Sequence, residues 1–182
     1  MKEEVVFNGK IGKVVHIKQT DGRVFEIFRR APGSRLIIVS PEGKILITRE
    51  HRHETGNVDL RLPGGKVFDT LEEYNAALES KVDIGEAAKA GAIKEAAEET
   101  GLNIKNQELV TIATAGATVD WDLYYFLVRD YTEAKDGQRL EHGEDIEVSW
   151  MSPAEIVKAI EAGQMQEWRT VGVLLGLVLP NL

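Results

Sequence analysis

Short strand-like runs separated by turn signals occupy the first part of this chain. They cover residues 5–7, 13–18 and 23–29. The dipeptide Asp21-Gly22 lies between the last two runs and favours a tight hairpin turn. Pro32-Gly33 then interrupts the pattern. Residues 1–33 are therefore predicted to form a small antiparallel sheet.

Strands and helices mix in the rest of the chain. A second hairpin is predicted from residues 35–40 and 44–48 around the turn Pro41-Glu42-Gly43. Further strand-like runs cover residues 60–62, 109–113, 122–128 and 146–150. Helical patterns with capping signals cover residues 71–81, 86–100, 153–163 and 167–179.

Composition excludes several classes of protein. The chain has 182 residues, which is the length of one domain with a small appendage, and a net charge of -8 that argues against a nucleic-acid clamp. It has no cysteine, so disulfides, thiolate nucleophiles and cysteine-ligated metals are absent. The longest apolar run, residues 171–179, is too short for a membrane span. We therefore expect a cytoplasmic protein with neither nucleic acid nor membrane as a partner.

One predicted helix concentrates negative charge. Glu95, Glu98 and Glu99 lie at helical spacing on one face, where like charges repel one another. A divalent cation would relieve that repulsion, since Mg²⁺ prefers carboxylate oxygens and keeps positions for water and phosphate. A solvated acidic helix face is the alternative that this string alone leaves open.

The surrounding order of residues resembles the box of the Nudix hydrolase family. That box reads G-x5-E-x7-R-E-U-x-E-E-x-G-U, with U aliphatic, and its later part is matched by Glu86, seven residues, and then Lys94 to Leu102. Lys94 departs from the pattern, because the family has Arg there and Lys loses the bidentate fork. The interval from Gly65 to Glu86 is also 20 residues instead of five, which indicates an insertion at about 66–84.

The resemblance implies a fold, a metal and a division of the chain. It implies an α/β fold, the Nudix α/β/α sandwich, with residues 34–182 as the catalytic domain. The antiparallel sheet of residues 1–33 is similar to one that reaches across a homodimer in the ADP-ribose and nucleotide-sugar pyrophosphatase branch. Mg²⁺ or Mn²⁺ is implied as the cofactor. Its implied ligands are the Gly64 carbonyl, Glu95, Glu98 and Glu99.

Substrate and catalytic residues are carried over from the same branch. A loop glutamate there deprotonates water or completes the metal site, which makes Glu144 the first choice, Glu141 the second, and Glu98 a catalytic residue as well as a ligand. The implied substrate contacts are Arg52 on phosphate or sugar, Glu50 as a hydrogen-bond acceptor, and Arg61 as positive charge near the diphosphate. The aromatic residues with a size suited to stacking on a base are Phe28, Trp121, Tyr124 and Tyr125.

These residues predict a metal-dependent hydrolase that splits the pyrophosphate bond of a nucleoside diphosphate sugar, such as ADP-ribose or GDP-mannose. The products would be a nucleoside monophosphate and a sugar phosphate. Two alternatives stay open. One is a non-catalytic Nudix module that senses a nucleotide, favoured by Lys94 and the insertion; the other is a hydrolase of dinucleoside polyphosphates or nucleoside triphosphates.

Overall fold

The structure, a computed structural model, describes residues 2–52, 56–140, 143 and 145–182. Its strands are β1 (Lys2–Asn8), β2 (Gly12–Lys18), β3 (Val24–Arg30), β4 (Gly33–Ile38), β5 (Ile45–Arg52), β6 (Asn57–Arg61), β7 (Leu102–Ala113), β8 (Val119–Asp120), β9 (Leu123–Glu133) and β10 (Ile146–Met151). Its α-helices are α1 (Leu71–Glu79), α2 (Ile84–Glu95), α3 (Pro153–Glu161) and α4 (Trp168–Val173). Within the described ranges, no helix combines the length and apolarity needed to cross a membrane.

The N-terminal strands form one sheet in the order β1-β2-β3-β8. The first three pair antiparallel along the chain, whereas β8 comes from the larger part and pairs parallel to β3, with Phe28 opposite Val119. Arg29 links the two ends of the sheet, donating to Glu3 at 2.7 Å and to Asp120 at 2.8 Å. The sheet is therefore attached to the rest of the protein through β8.

The predicted second hairpin is wrong in its pairing. The turn exists, because the Gly43 N–H donates to the Ser40 carbonyl at 2.9 Å, and Val39 bridges to Ile45. Beyond it, β4 enters the sheet β4-β9-β7, parallel to β9, and β5 enters the sheet β10-β5-β6. All of β4 is buried, as is typical of a parallel strand covered on both faces. Turn residues reverse the chain but do not select the strand's partner.

The sheet β4-β9-β7 lies between two apolar layers. Leu36 and Ile38 of β4 belong to a core cluster with three alanines of the glutamate helix, while the alternate side chain Ile37 packs in a second cluster with α3 and α4. Successive strand residues point to opposite faces, so each face acquires its own core. The predicted α/β/α sandwich is confirmed.

The glutamate-bearing helix differs from the regular α-helix that its spacing predicts. α2 ends at Glu95 and continues as a π turn, Ala96–Thr100, in which the Thr100 hydroxyl donates to the Ala96 carbonyl at 2.6 Å. Ile93 is 40% exposed, whereas Ala88, Ala92 and Ala96 are fully buried against the sheet. Small residues occupy the buried face of the helix because α2 lies close against the sheet β4-β9-β7.

Candidate active site

A cleft of about 410 Å³ opens where the Gly64-Gly65 loop meets the end of α2 and the ends of β5 and β6. Most of the predicted site residues that the structure describes line it: Glu50, Arg52, Arg61, Gly64, Glu95, Glu98 and Glu99. Phe28 is not among the lining residues, because its ring lies against Gly12 within the N-terminal sheet. The structure thus brings together the polar residues but not the predicted stacking residue.

The two glycines meet the glutamate helix directly. The Gly64 N–H donates to Glu99 Oε2 at 2.7 Å, and a Cβ at Gly65 would overlap the Glu95 carboxylate. Gly64 has φ +135°, and a Cβ there would overlap the Ser34 carbonyl oxygen. The loop therefore reaches the helix even though α1, closed by a Thr70–Glu73 capping box, is inserted between them.

The three glutamates have different surroundings. Glu95 lies against Gly65; Glu98 lies 3.6 Å from Lys94 Nζ; and Glu99, only 6% exposed, faces Gly64. Within the described ranges, no group of three His, Cys, Asp or Glu side chains is arranged so that it could hold a metal ion. The donors themselves are hard carboxylate oxygens beside a glycine loop with no side chains, which suits Mg²⁺ or Mn²⁺.

Glu99 carries the largest electrostatic perturbation of these glutamates. Burial raises the pKa of its carboxyl to about 8, and the charges of Glu95 and Glu50 add to this rise. The Gly64 N–H and Arg35 act in the opposite direction. Carboxylates that line one cleft and repel one another are donors that a divalent cation would stabilise, so the residues fit such an ion.

Glu50 joins two of the predicted substrate contacts. Its Oε2 accepts from Arg52 Nη1 and from Arg61 Nη1, each at 2.9 Å, and it is 8% exposed. Arg61 also lies 3.6 Å from Asp59. Burial alone would lower the pKa of Arg61, but Glu50 and Asp59 raise it overall. Glu50 was predicted to accept from substrate; in the structure it holds two arginines at the cleft wall.

Arg35 was missed by the sequence analysis. It interrupts the apolar run of β4, is 5% exposed, and donates from Nη1 to the carbonyls of Ser34 at 2.7 Å and Gly64 at 2.8 Å. Burial, then repulsion by Arg61, lowers its pKa to about 10. A charged residue inside an apolar strand was the signal that could have identified it.

The aromatic candidates divide between the core and the cleft. Tyr124 and Tyr125 are buried, 8% and 0% exposed, so they do not stack on a ligand. Trp121 lines the cleft, but its ring already contacts the guanidinium groups of Arg30 and Arg169, at 4.2 and 4.1 Å from the ring centre. Arg30, also a lining residue, was not predicted; burial and Arg169 lower its pKa.

The predicted bases, Glu141 and Glu144, lie outside the described residues. The segment before them is attached to the glutamate turn: the Arg139 N–H donates to the Glu98 carbonyl at 2.9 Å, and the Gln138 side chain donates to the Glu99 carbonyl. Gly143 and Asp145 line the cleft. Gln138 and Arg139 are therefore anchored at the π turn, and Gly143 and Asp145 lie at the cleft.

Known proteins share this fold and sequence pattern. The NUDIX domain model matches residues 29–170. The chain is 23% identical to ADP-ribose pyrophosphatase of Bacillus subtilis (strain 168) over 92% of this chain and 85% of that protein. It is 22% identical to the methanol dehydrogenase activator of Bacillus methanolicus, over 94% and 87%.

A solved structure described as an ADP compounds hydrolase has a TM-score of 0.64, at 16% identity, over 96% of this chain and 89% of that one. The predicted family and the predicted hydrolase class are confirmed, and the Bacillus subtilis relative supports the ADP-ribose pyrophosphatase branch. Because the NUDIX model covers well over half of its length, the chain belongs to the Nudix hydrolase family.

Proposed function

We propose that this Nudix hydrolase splits the pyrophosphate bond of a nucleoside diphosphate sugar, ADP-ribose or GDP-mannose, into a nucleoside monophosphate and a sugar phosphate. The main support is that Glu95 and Glu99 contact the Gly64-Gly65 loop inside a cleft that is also lined by arginines. Carboxylates able to hold cations, opposite guanidinium groups able to hold phosphate, suit a diphosphate substrate. The name of the Bacillus subtilis relative agrees with this class.

A divalent cation completes the proposal. Nudix enzymes generally use divalent metals, and Mg²⁺ is our first choice, with Mn²⁺ as a substitute. Glu95, Glu98 and Glu99 would hold it, because all three line the cleft and carboxylate oxygens are the ligands that Mg²⁺ prefers. When bound, such a cation neutralises diphosphate charge and lowers the pKa of the attacking water.

Substrate contacts follow from the cleft wall. Arg52, with 37% of its side chain exposed, is proposed to contact a phosphate or the sugar, and Glu50 fixes its guanidinium group. Arg61 is more deeply placed and supplies positive charge to the diphosphate. The cleft volume of about 410 Å³ lies in the range of small-molecule sites. Phe28 has no part in this proposal, because it lies outside the cleft lining.

The base is proposed to come from the loop anchored at the π turn. Glu144 remains the first choice and Glu141 the second, and support comes from their neighbours Gly143 and Asp145 at the cleft. A glutamate in this loop would accept the proton of the attacking water. Further support comes from Gln138 and Arg139, which donate hydrogen bonds to the carbonyls of Glu99 and Glu98.

A homodimer is proposed, with residues 1–33 as the dimerisation unit and 34–182 as the catalytic domain containing the insertion at about 66–84. The support is the edge strand β1, whose residues are all exposed. Its apolar members are well exposed: Val5 by 51%, Val6 by 44% and Phe7 by 61%. An exposed edge strand with apolar side chains is a surface that proteins usually cover. A cytoplasmic location remains a prediction.

The test is a substrate panel with identification of the products. Purified protein is incubated with ADP-ribose, GDP-mannose, a diadenosine polyphosphate and a nucleoside triphosphate, with Mg²⁺ or with EDTA. We expect AMP and ribose 5-phosphate, or GMP and mannose 1-phosphate, with the reaction abolished by EDTA. Tight binding of ADP-ribose without release of monophosphate would support a sensor instead, and inorganic pyrophosphate from a triphosphate would support a triphosphate hydrolase.

A further inference from the structure

The Gly64 peptide is held from both sides by charged side chains. Its N–H donates to Glu99 Oε2 at 2.7 Å, and its carbonyl accepts from Arg35 Nη1 at 2.8 Å. A Cβ on Gly64 would overlap the Ser34 backbone, so the loop lies directly on β4 at this point. The carbonyl that the family resemblance implies as a metal ligand thus already faces a cation.

Arg35 is unusual in its own surroundings. It is 5% exposed, its Nε is buried without a hydrogen-bond partner among the described residues, and its Nη1 donates to the carbonyl groups of Ser34 and Gly64. A guanidinium group stays protonated in proteins, so this charge is permanent. Burying it is costly unless nearby negative charge compensates it, and Glu99 and Glu50 are the acids whose charges act on it.

A divalent cation on the Gly64 oxygen would be adjacent to this guanidinium group. Two positive charges in contact with the same carbonyl oxygen repel each other strongly in a cleft of reduced dielectric constant. The Glu95 carboxylate lies against Gly65, and Glu98 lies 3.6 Å from Lys94 Nζ. The repulsion is therefore greatest for a cation placed on the Gly64 carbonyl oxygen, which Arg35 Nη1 already contacts at 2.8 Å.

We propose that the Arg35 guanidinium group is a resident cation that replaces a divalent cation at the Gly64 carbonyl, so that metal binds to the carboxylates of Glu95, Glu98 and Glu99 but not to that carbonyl oxygen. The inference rests on the proposed function, because it concerns the same metal site. It makes Arg35 a positioning residue for the glycine loop. It also predicts that this chain holds fewer divalent cations than its glutamates alone would allow.

The test measures Mn²⁺ binding to the full chain without substrate, by titration calorimetry and by the electron paramagnetic resonance of free Mn²⁺. Arg35→Gln keeps a neutral donor toward Gly64, Arg35→Met removes it, and Arg35→Lys keeps the charge. We expect both neutral variants to bind a further Mn²⁺ ion, or to bind Mn²⁺ roughly tenfold more tightly than wild type. Arg35→Lys should match wild type.

Arg49→Met is the matched control, because it removes one positive charge from an exposed position on β5 outside the cleft lining. It should bind Mn²⁺ as wild type does. Unchanged stoichiometry and affinity in the neutral variants would overturn the inference. So would neutral variants that stay unfolded at saturating Mn²⁺, since the ion should then occupy the vacated position.

The proposed function fails in a different way. A wild-type chain that binds no Mn²⁺ and hydrolyses nothing in the substrate panel would reject the metal-dependent hydrolase itself. A wild-type chain that binds Mn²⁺ and releases monophosphate, with neutral variants no different in Mn²⁺ binding, would reject only the role of Arg35.

Discussion

In the N-terminal sheet apolar side chains face outward, whereas in the cleft charged side chains face inward. Phe7 is 61% exposed and Ile11 60%, although both are large and apolar. Arg35, Glu50 and Glu99 are 5%, 8% and 6% exposed, although all are ionisable. Each region reverses the usual distribution of polarity, and the reversals are opposite in sense.

Both reversals cost free energy in the isolated chain. Apolar surface that stays exposed does not gain the stabilisation of about 25 cal/mol per Å² that burial would give, and buried charges lose their hydration. Departures of this kind persist where function needs them. We attribute the outward apolar surface to a second copy of the chain, and the inward charges to a diphosphate and its cation. These two explanations can be broken separately.

The largest effect is expected from Glu99→Gln. The amide keeps the size of the side chain but loses the charge that would hold a cation, so kcat should fall by roughly 10²–10³-fold. Mg²⁺-dependent turnover of the best substrate in the panel is the measurement. Glu79→Gln, an exposed change on α1, is the control and should leave turnover unchanged. Full activity in Glu99→Gln would reject its place in the metal site.

The same variant has a second readout in the metal-free protein. The pKa of Glu99 is about 8 in the folded chain against an ordinary 4.5, so the folded state holds a proton that the unfolded state releases. This stabilisation is complete below pH 4.5 and is lost as the pH rises through 8. In EDTA, wild type should therefore lose more melting temperature between pH 5 and 9 than Glu99→Gln. Equal losses would contradict the burial argument.

Local spacing was enough to place the glutamates. The interval from Glu86 to Gly101 identified Glu95, Glu98 and Glu99 without knowledge of the fold, because helix neighbours are set by the helix itself. The glycine loop also reached them despite the insertion, since an inserted segment with its own helix can lie outside the contact. These features depend on short sequence separations or on one rigid element.

Long-range choices were not available from the sequence. The turn at Gly43 predicted a hairpin, but β4 found its partner in β9, more than 80 residues later. The inward direction of Arg35 depends on the Gly64 carbonyl, which belongs to another element. The π turn at Ala96–Thr100 was likewise not predicted, because the glutamate spacing is compatible with a regular α-helix.

A smaller effect, on the free energy of unfolding, is expected when Arg61 is removed from the buried charge network. Arg61→Met leaves Glu50 with the hydrogen bond from Arg52, and it leaves Asp59 without the Arg61 charge. We expect a loss of about 2 kcal/mol in the free energy of unfolding, less than the ~3–5 kcal/mol of a fully buried pair. Denaturant melts measure it. Arg49→Met, on an exposed ion pair with Glu147, should cost no more than ~1 kcal/mol. Equal losses in the two variants would show that the buried charges of the cleft stabilise the fold no more than an exposed ion pair does.

The smallest effect is expected at the outward apolar surface. Phe7→Asp replaces an exposed apolar side chain of β1 by a charge, so a dimer that buries Phe7 should weaken by about 1–2 kcal/mol, roughly tenfold in its dissociation constant. Sedimentation velocity over a range of concentrations measures the dissociation constant.

Leu78→Asp, on α1 and 48% exposed, is the matched control outside the N-terminal sheet and should leave the dissociation constant unchanged. If wild type stays monomeric at high micromolar concentration, a second copy does not cover β1. If Leu78→Asp weakens the dimer and Phe7→Asp does not, the contact surface lies on the catalytic domain instead.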